Sequence, residues 1–198
     1  MNLTNKPMKR LSLYLFLIFF TLPTPSQADD IRDFQIEGMS IGDSALDYFS
    51  EREIKTMTKH IYPNNIYIGL IFKSPKLNTY DFVQFTLDKE KNYEIIRIVG
   101  RLKFKDNINE CYKIKDQIVS EVSGIFSESV KIKSFTKPLS KSADKTGKSI
   151  GTTTNFNFEN TESFIQVMCR NYSKESGKTH SLNVEIWSDK YRKYRKTL

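Results

Sequence analysis

Tyr93-Glu-Ile-Ile-Arg-Ile-Val-Gly-Arg-Leu-Lys-Phe-Lys105 is the stretch from which the fold can be read. Successive side chains of an extended chain point to opposite faces, so Ile96, Ile98, Leu102 and Phe104 share one side, and Arg97, Arg101, Lys103 and Lys105 the other. This predicts a long strand, buried on one face, whose basic stripe is the solvent side of an antiparallel sheet. Immediately afterwards the apolar period changes. Cys111, Ile114, Ile118, Val122 and Ile125 recur at steps of three and four, which predicts a helix over about Asn109 to Phe126, capped by Asn107 or Asn109.

Upstream of the strand, Ile66 to Lys73 is rich in β-formers and ends at the Ser74-Pro75 turn. Asp81 to Asp88 places Val83, Phe85 and Leu87 on one face and Gln84 and Thr86 on the other. Ser40 and Asp43 are N-cap candidates for a short helix carrying Leu46, Tyr48 and Phe49. Ser50-Glu-Arg-Glu53 has capping-box spacing and predicts a second short helix through about Lys59. Downstream, Lys131 to Lys148 holds six lysines against Asp144 alone and reads as an exposed loop. Thr152 to Glu159, Ser163 to Asn171 and Ser181 to Ser188 read as three further strands. The expected architecture is α+β, an antiparallel sheet with helices packed on one face, in the order helix-βββ-helix-βββ. Residues 29–189 form one domain, with two halves (34–105 and 106–189) that share a core, and residues 190–198 form a basic tail.

The first 28 residues have a different character. Lys6, Lys9 and Arg10 precede an apolar run from Leu11 to Leu22, and Pro23 to Ala28 closes it with Ser26 and Ala28 at the small-residue positions before a cleavage point. The run is shorter than the roughly 20 residues needed to cross a bilayer. The segment predicts export, with cleavage near Ala28 and a periplasmic or extracellular destination. The net charge of +8 follows the same division. Three of the surplus cations lie in the leader and five in the last nine residues, as Lys190, Arg192, Lys193, Arg195 and Lys196, so the body between Asp29 and Asp189 is neutral. Those five make the C-terminal segment the candidate for binding anionic membrane or lipopolysaccharide by point-charge attraction.

Two cysteines, Cys111 and Cys169, travel to an oxidising compartment and are expected to form a disulfide. On the chain-entropy model, closing a loop of nearly 60 residues contributes about 4 kcal/mol. Cys-x-x-Cys, the usual redox spacing, is absent. The two histidines, His60 and His180, stand 120 residues apart and leave no spaced ligand set for a metal, so no metal or other cofactor is expected. Thr146-Gly-Lys-Ser149 ends like a phosphate-binding P-loop, but Ser142 stands where the first glycine belongs, and no nucleotide partner is expected. Trp187, Phe156, Phe158, Phe164 and Tyr172 fall at strand spacing and read as core or sheet-edge packing.

Gly42-Asp-Ser-Ala-Leu46 resembles the nucleophile block of GDSL-type lipases and esterases, which implies Ser44 as a catalytic serine. Those enzymes need an imidazole three residues after an aspartate and an oxyanion-hole Asn, and three residues before His180 stands Gly177. Ile36-Glu-Gly-Met-Ser-Ile-Gly-Asp-Ser-Ala-Leu-Asp-Tyr-Phe49, with Asp81 to Asp88 and Tyr93 to Ile98, resembles the Gly-Met-(Ser/Thr) helix entry and closing strands of SmpA/OmlA-type outer-membrane assembly proteins. The tandem helix-plus-strands unit is similar to that of β-lactamase-inhibitory proteins. The Gly-x-Ser-Ile-Gly-Asp-Ser segment resembles that of small exported bacterial proteins. Because catalysis usually leaves a nucleophile with its base and here the base is missing, the expected function is that of a non-enzymatic periplasmic or secreted binding protein, with a sheet face or edge for a protein partner in the cell envelope. The alternatives are a Ser44 esterase or tail-mediated binding to an anionic surface.

Overall fold

The computed structural model describes residues 30–105, 107–126 and 130–198. The leader and its cleavage point near Ala28 lie outside the described residues. Strands β1 (Thr58–Ile61), β2 (Tyr67–Phe72), β3 (Phe82–Asp88) and β4 (Glu94–Phe104) form one antiparallel meander. Strands β5 (Val130–Pro138), β6 (Ile150–Phe158), β7 (Phe164–Asn171) and β8 (His180–Trp187) form a second. The last strand of each meets the other at the centre, with Ile98 opposite Ile186 and Leu102 opposite Leu182. A single sheet results, in the order β1-β2-β3-β4-β8-β7-β6-β5. Helix α1 (Glu51–Thr56) precedes the first meander, α2 (Ile108–Ile125) the second, and α3 (Asp189–Arg195) follows the last strand.

The class is α+β, but each half contributes four strands rather than the expected three. Ser50 and Glu53 form a reciprocal capping box that starts α1, and the chain turns extended at Met57, so the expected helix through Lys59 stops early and β1 takes its place. The first expected helix is only a 3-10 turn, Ala45–Asp47, started by Ser44. The lysine-rich stretch read as a loop contains β5, which lies exposed at the sheet edge. An edge strand needs no apolar alternation, and lysines on it disfavour pairing with another chain.

The chain also puts its two faces to different uses. On one, Val83, Phe85, Ile98, Ile165, Val167, Leu182, Val184 and Ile186 are buried. Cys111, Ile118 and Val122 of α2 and Ile36, Met39, Ala45 and Phe49 of the N-terminal segment belong to the same core. Cys111 and Cys169 are bonded, with 6.0 Å between their Cα atoms, and tie α2 to β7. Over one end of the other face lies α3. Ser188 caps it by accepting from the Tyr191 backbone N–H at 3.2 Å, and its own hydroxyl donates to the Ile96 carbonyl at 2.7 Å. The basic segment expected as a tail is thus partly folded onto the sheet: Tyr191 is buried against Tyr62, Tyr67 and Ile96. A register shift at Thr86/Leu87 explains Ile96. It moves Ile96 from the expected core face to the face beneath α3 and leaves Ile95 in the main core.

Candidate functional site

Residues directly opposite one another in an antiparallel sheet share a face. On the face that carries α3, the pairing therefore builds rows across the central strands. Arg97 lies opposite Trp187, Val99 opposite Glu185, Arg101 opposite Asn183 and Lys103 opposite Ser181. On the far side of β8, Glu185 faces Gln166, Asn183 faces Met168 and Ser181 faces Arg170. The basic stripe read from Tyr93 to Lys105 is on this face at Arg97, Arg101 and Lys103. It is only partly a solvent side, because neighbouring strands and α3 hem it in, and the Arg97 side chain is only 17% exposed.

Glu185 is the centre of the arrangement, its side chain 3% exposed. It accepts from Arg97 at 2.7 Å, from the Trp187 indole at 2.9 Å and from the Asn183 amide at 3.3 Å. Arg170 reaches it at 3.7 Å. Burial pushes the Glu185 carboxyl up, but Arg97 and Arg170, with the indole and guanidinium hydrogen bonds, outweigh it and hold the group at about 2. Burial likewise disfavours the Arg97 cation, and Glu185 reverses this, leaving its pKa raised. Arg97 also lies over Trp187, at 5.2 Å, and over Tyr191, at 5.7 Å. Arg101 differs from both. It donates through Nε to Asn183 at 3.0 Å, and burial followed by the Arg170 charge lowers its pKa.

Positive charge exceeds negative here. Lys73, Arg101 and Lys103 place their cationic groups 5.7, 5.1 and 5.6 Å from the Phe82 ring centre. None of the three forms an ion pair among the described residues. Asp81 is close by, and its carboxylate accepts from the Lys103 backbone N–H at 2.7 Å. The buried Nε groups of Arg97 and Arg170 have no hydrogen-bond partner among the described residues. Beside Arg97 lies a cavity of about 320 Å³ bounded by His60, Tyr62, Gly69, Ile71 and Gln84. A larger groove of about 740 Å³ lies between Ile31, Arg32, Glu94, Asn160 and Lys190. In it Arg32 is paired with Asp30, and Lys190 with Glu94.

The residues singled out from the sequence scatter. The Ser44 hydroxyl donates to the Asn92 carbonyl at 2.7 Å and caps the 3-10 turn. Ser44 bridges Glu94 at the start of β4, whereas His180 pairs with Phe104 at its end. Ten residues of strand separate those positions by about 33 Å. His60 lies on β1, three strands from β4, and packs edge-on against Tyr62. No imidazole is thus placed to activate Ser44. Among the described residues no group of three or more His, Cys, Asp or Glu side chains is gathered for a metal.

The C-terminal cations are largely engaged. Lys190 pairs with Asp88 at 2.7 Å and Glu94 at 2.6 Å, Lys193 with Asp189 at 2.7 Å, and Lys196 with Glu162 at 2.6 Å. Arg192 donates to the Glu162 carbonyl at 3.0 Å and lies over the Phe164 ring. Arg195 forms no ion pair among the described residues.

The sequence reading found Arg97, Arg101 and Lys103 but missed Glu185, Asn183 and Arg170. Their signal was three polar residues that alternate with core-facing apolar ones in runs read as strands: Asn183 and Glu185 between Leu182, Val184 and Ile186, and Arg170 after Cys169. Comparison of the chain with protein-family models, with curated proteins and with solved structures finds no match.

Proposed function

We propose that the chain is an exported, non-enzymatic binding protein that recognises an anionic partner in the cell envelope through the sheet face around Arg101. One observation carries the reading: Lys73, Arg101 and Lys103 crowd the Phe82 ring without an ion-pair partner among the described residues. Clustered cations repel one another, and an incoming anion relieves that repulsion. Lys190, Lys193 and Lys196, by contrast, already have carboxylates. The Cys111 to Cys169 bond supports the export part of the reading, since such bonds persist in oxidising compartments.

Retention on immobilised dextran sulfate tests the reading. Lys73→Gln/Lys103→Gln is expected to elute at clearly lower salt than the unaltered chain, while Lys193→Gln/Arg195→Gln/Lys196→Gln elutes close to it. The reverse order transfers the function to the C-terminal segment.

A further inference from the structure

We propose that Arg101, Lys103 and Arg170 form a binding site for a dianionic phosphate monoester group, seated over Ser181. The inference rests on the face-binding reading above and names the chemistry of its ligand.

The site is built by register. Ser181 on β8 lies directly opposite Lys103 of β4 on one side and Arg170 of β7 on the other. Strands lie about 4.8 Å apart, so the Lys103 and Arg170 backbones stand roughly 10 Å from each other across a single small side chain. Arg101 shares the face two residues before Lys103 and completes a triangle. Ser181 is 3% exposed, so the surface above it is already covered, and its hydroxyl is turned toward Asn183 Oδ1 at 3.4 Å; a ligand meets the cationic ends of the three long side chains rather than Ser181 itself.

The donors are in place and largely unused. Asn183 takes the Arg101 Nε at 3.0 Å and so orients the guanidinium, and the terminal nitrogens of Arg101 have no acceptor among the described residues. The Arg170 side chain makes no hydrogen bond among the described residues, and its one carboxylate contact there is Glu185 at 3.7 Å. Among the described residues the Lys103 ammonium has only the Phe82 ring, at 5.6 Å. Guanidinium forks match the oxygens of phosphate, and a lysine adds a point charge. Glu185 is shared between Arg97 and Arg170, and Asp81, which accepts from the Lys103 backbone N–H, is the other carboxylate beside the site, so the cations remain in excess. A phosphate monoester brings a charge of about −1.5 to −2 at pH 7 and three strong acceptor oxygens, whereas a carboxylate brings a single charge.

Calorimetric titration of the chain with inorganic phosphate at low ionic strength tests this, paired with sedimentation on phosphatidylcholine vesicles with and without phosphatidic acid. Saturable phosphate binding is expected, weakened at least tenfold by Arg101→Gln and by Lys103→Gln. Lys103 is exposed, so its variant reports on the site without disturbing the fold. Sedimentation only with phosphatidic acid supports a lipid-borne phosphate. Phosphate binding without sedimentation supports a soluble ester. Absence of saturable binding in both arms, or binding unchanged in both variants, overturns the site. Retention on dextran sulfate is read separately, so a face that still holds that polymer keeps the broader reading while the phosphate site falls.

Discussion

Replacing Glu185 by Gln removes the one carboxylate among the described residues within hydrogen-bonding reach of Arg97 and leaves Arg97, Arg101 and Arg170, on the two strands that flank β8, with no counter-charge among their described ion-pair contacts. The loss follows from linkage. The carboxyl is held at about 2 against an ordinary 4.5, and at about 1.4 kcal/mol per unit this amounts to about 3 kcal/mol. The side chain is nearly fully buried, so solvent screening removes little of it. Breaking a buried pair from one side costs about 3–5 kcal/mol in other proteins, which agrees. For a chain of this size the change lowers Tm by roughly 6–12 °C. Because the folded pKa is depressed, the contribution is fully present above about pH 4.5 and is lost as pH falls through about 2. Urea unfolding of the unaltered chain and Glu185→Gln between pH 2 and 7 should show a gap of about 3 kcal/mol at pH 7 that closes toward pH 2. A gap under 1 kcal/mol at pH 7, or one independent of pH, refutes the assignment of Glu185 as the electrostatic centre.

Three further outcomes are expected. Cys111→Ser/Cys169→Ser opens a cross-link of sequence separation 58 and should cost about 4 kcal/mol in urea unfolding, an effect that a reductant reproduces in the unaltered chain. At Gly100 an added Cβ meets the Tyr80 ring at 2.6 Å, so Gly100→Ala should destabilise by about 1–3 kcal/mol through overpacking, with Tyr80→Ala in the same chain restoring part of it. Tyr191→Ala removes the buried anchor of α3 and should cost about 3 kcal/mol. Its ring centre is 4.8 Å from that of Trp187, the chain's single tryptophan, so a red-shifted emission should report the exposed indole.

Strands that separate a core from a polar face were legible because alternation reports burial directly. Val83, Phe85 and Leu87 in β3 and Ile98, Leu102 and Phe104 in β4 are of this kind. The α2 stripe was legible for the same reason at a period of 3.6, and it placed Cys111 on the side that meets Cys169. β5 was hidden, since an edge strand exposed on both faces shows no apolar pattern and its lysines look like a loop. Tertiary docking was hidden as well. The charges of 190–198 look solvated in sequence, but Tyr191 has a pocket of tyrosines to enter, and Lys190 meets Asp88 and Glu94 from distant strands. Ile96 was assigned to the wrong face because a one-residue register shift leaves no mark in the local pattern. The Glu185 network depends on which strands become neighbours: β4 and β8 are far apart in the chain, and only their pairing brings Arg97 to Glu185.

The most direct test of the central claim is a map of backbone amide shifts as a short dextran sulfate is added to the isotopically labelled chain. The account predicts that the largest changes gather on β3, β4, β8 and β7, around Phe82, Arg101, Lys103, Ser181 and Arg170, and fade with added salt. Changes confined to Asp189–Leu198, with the sheet face silent, would contradict it.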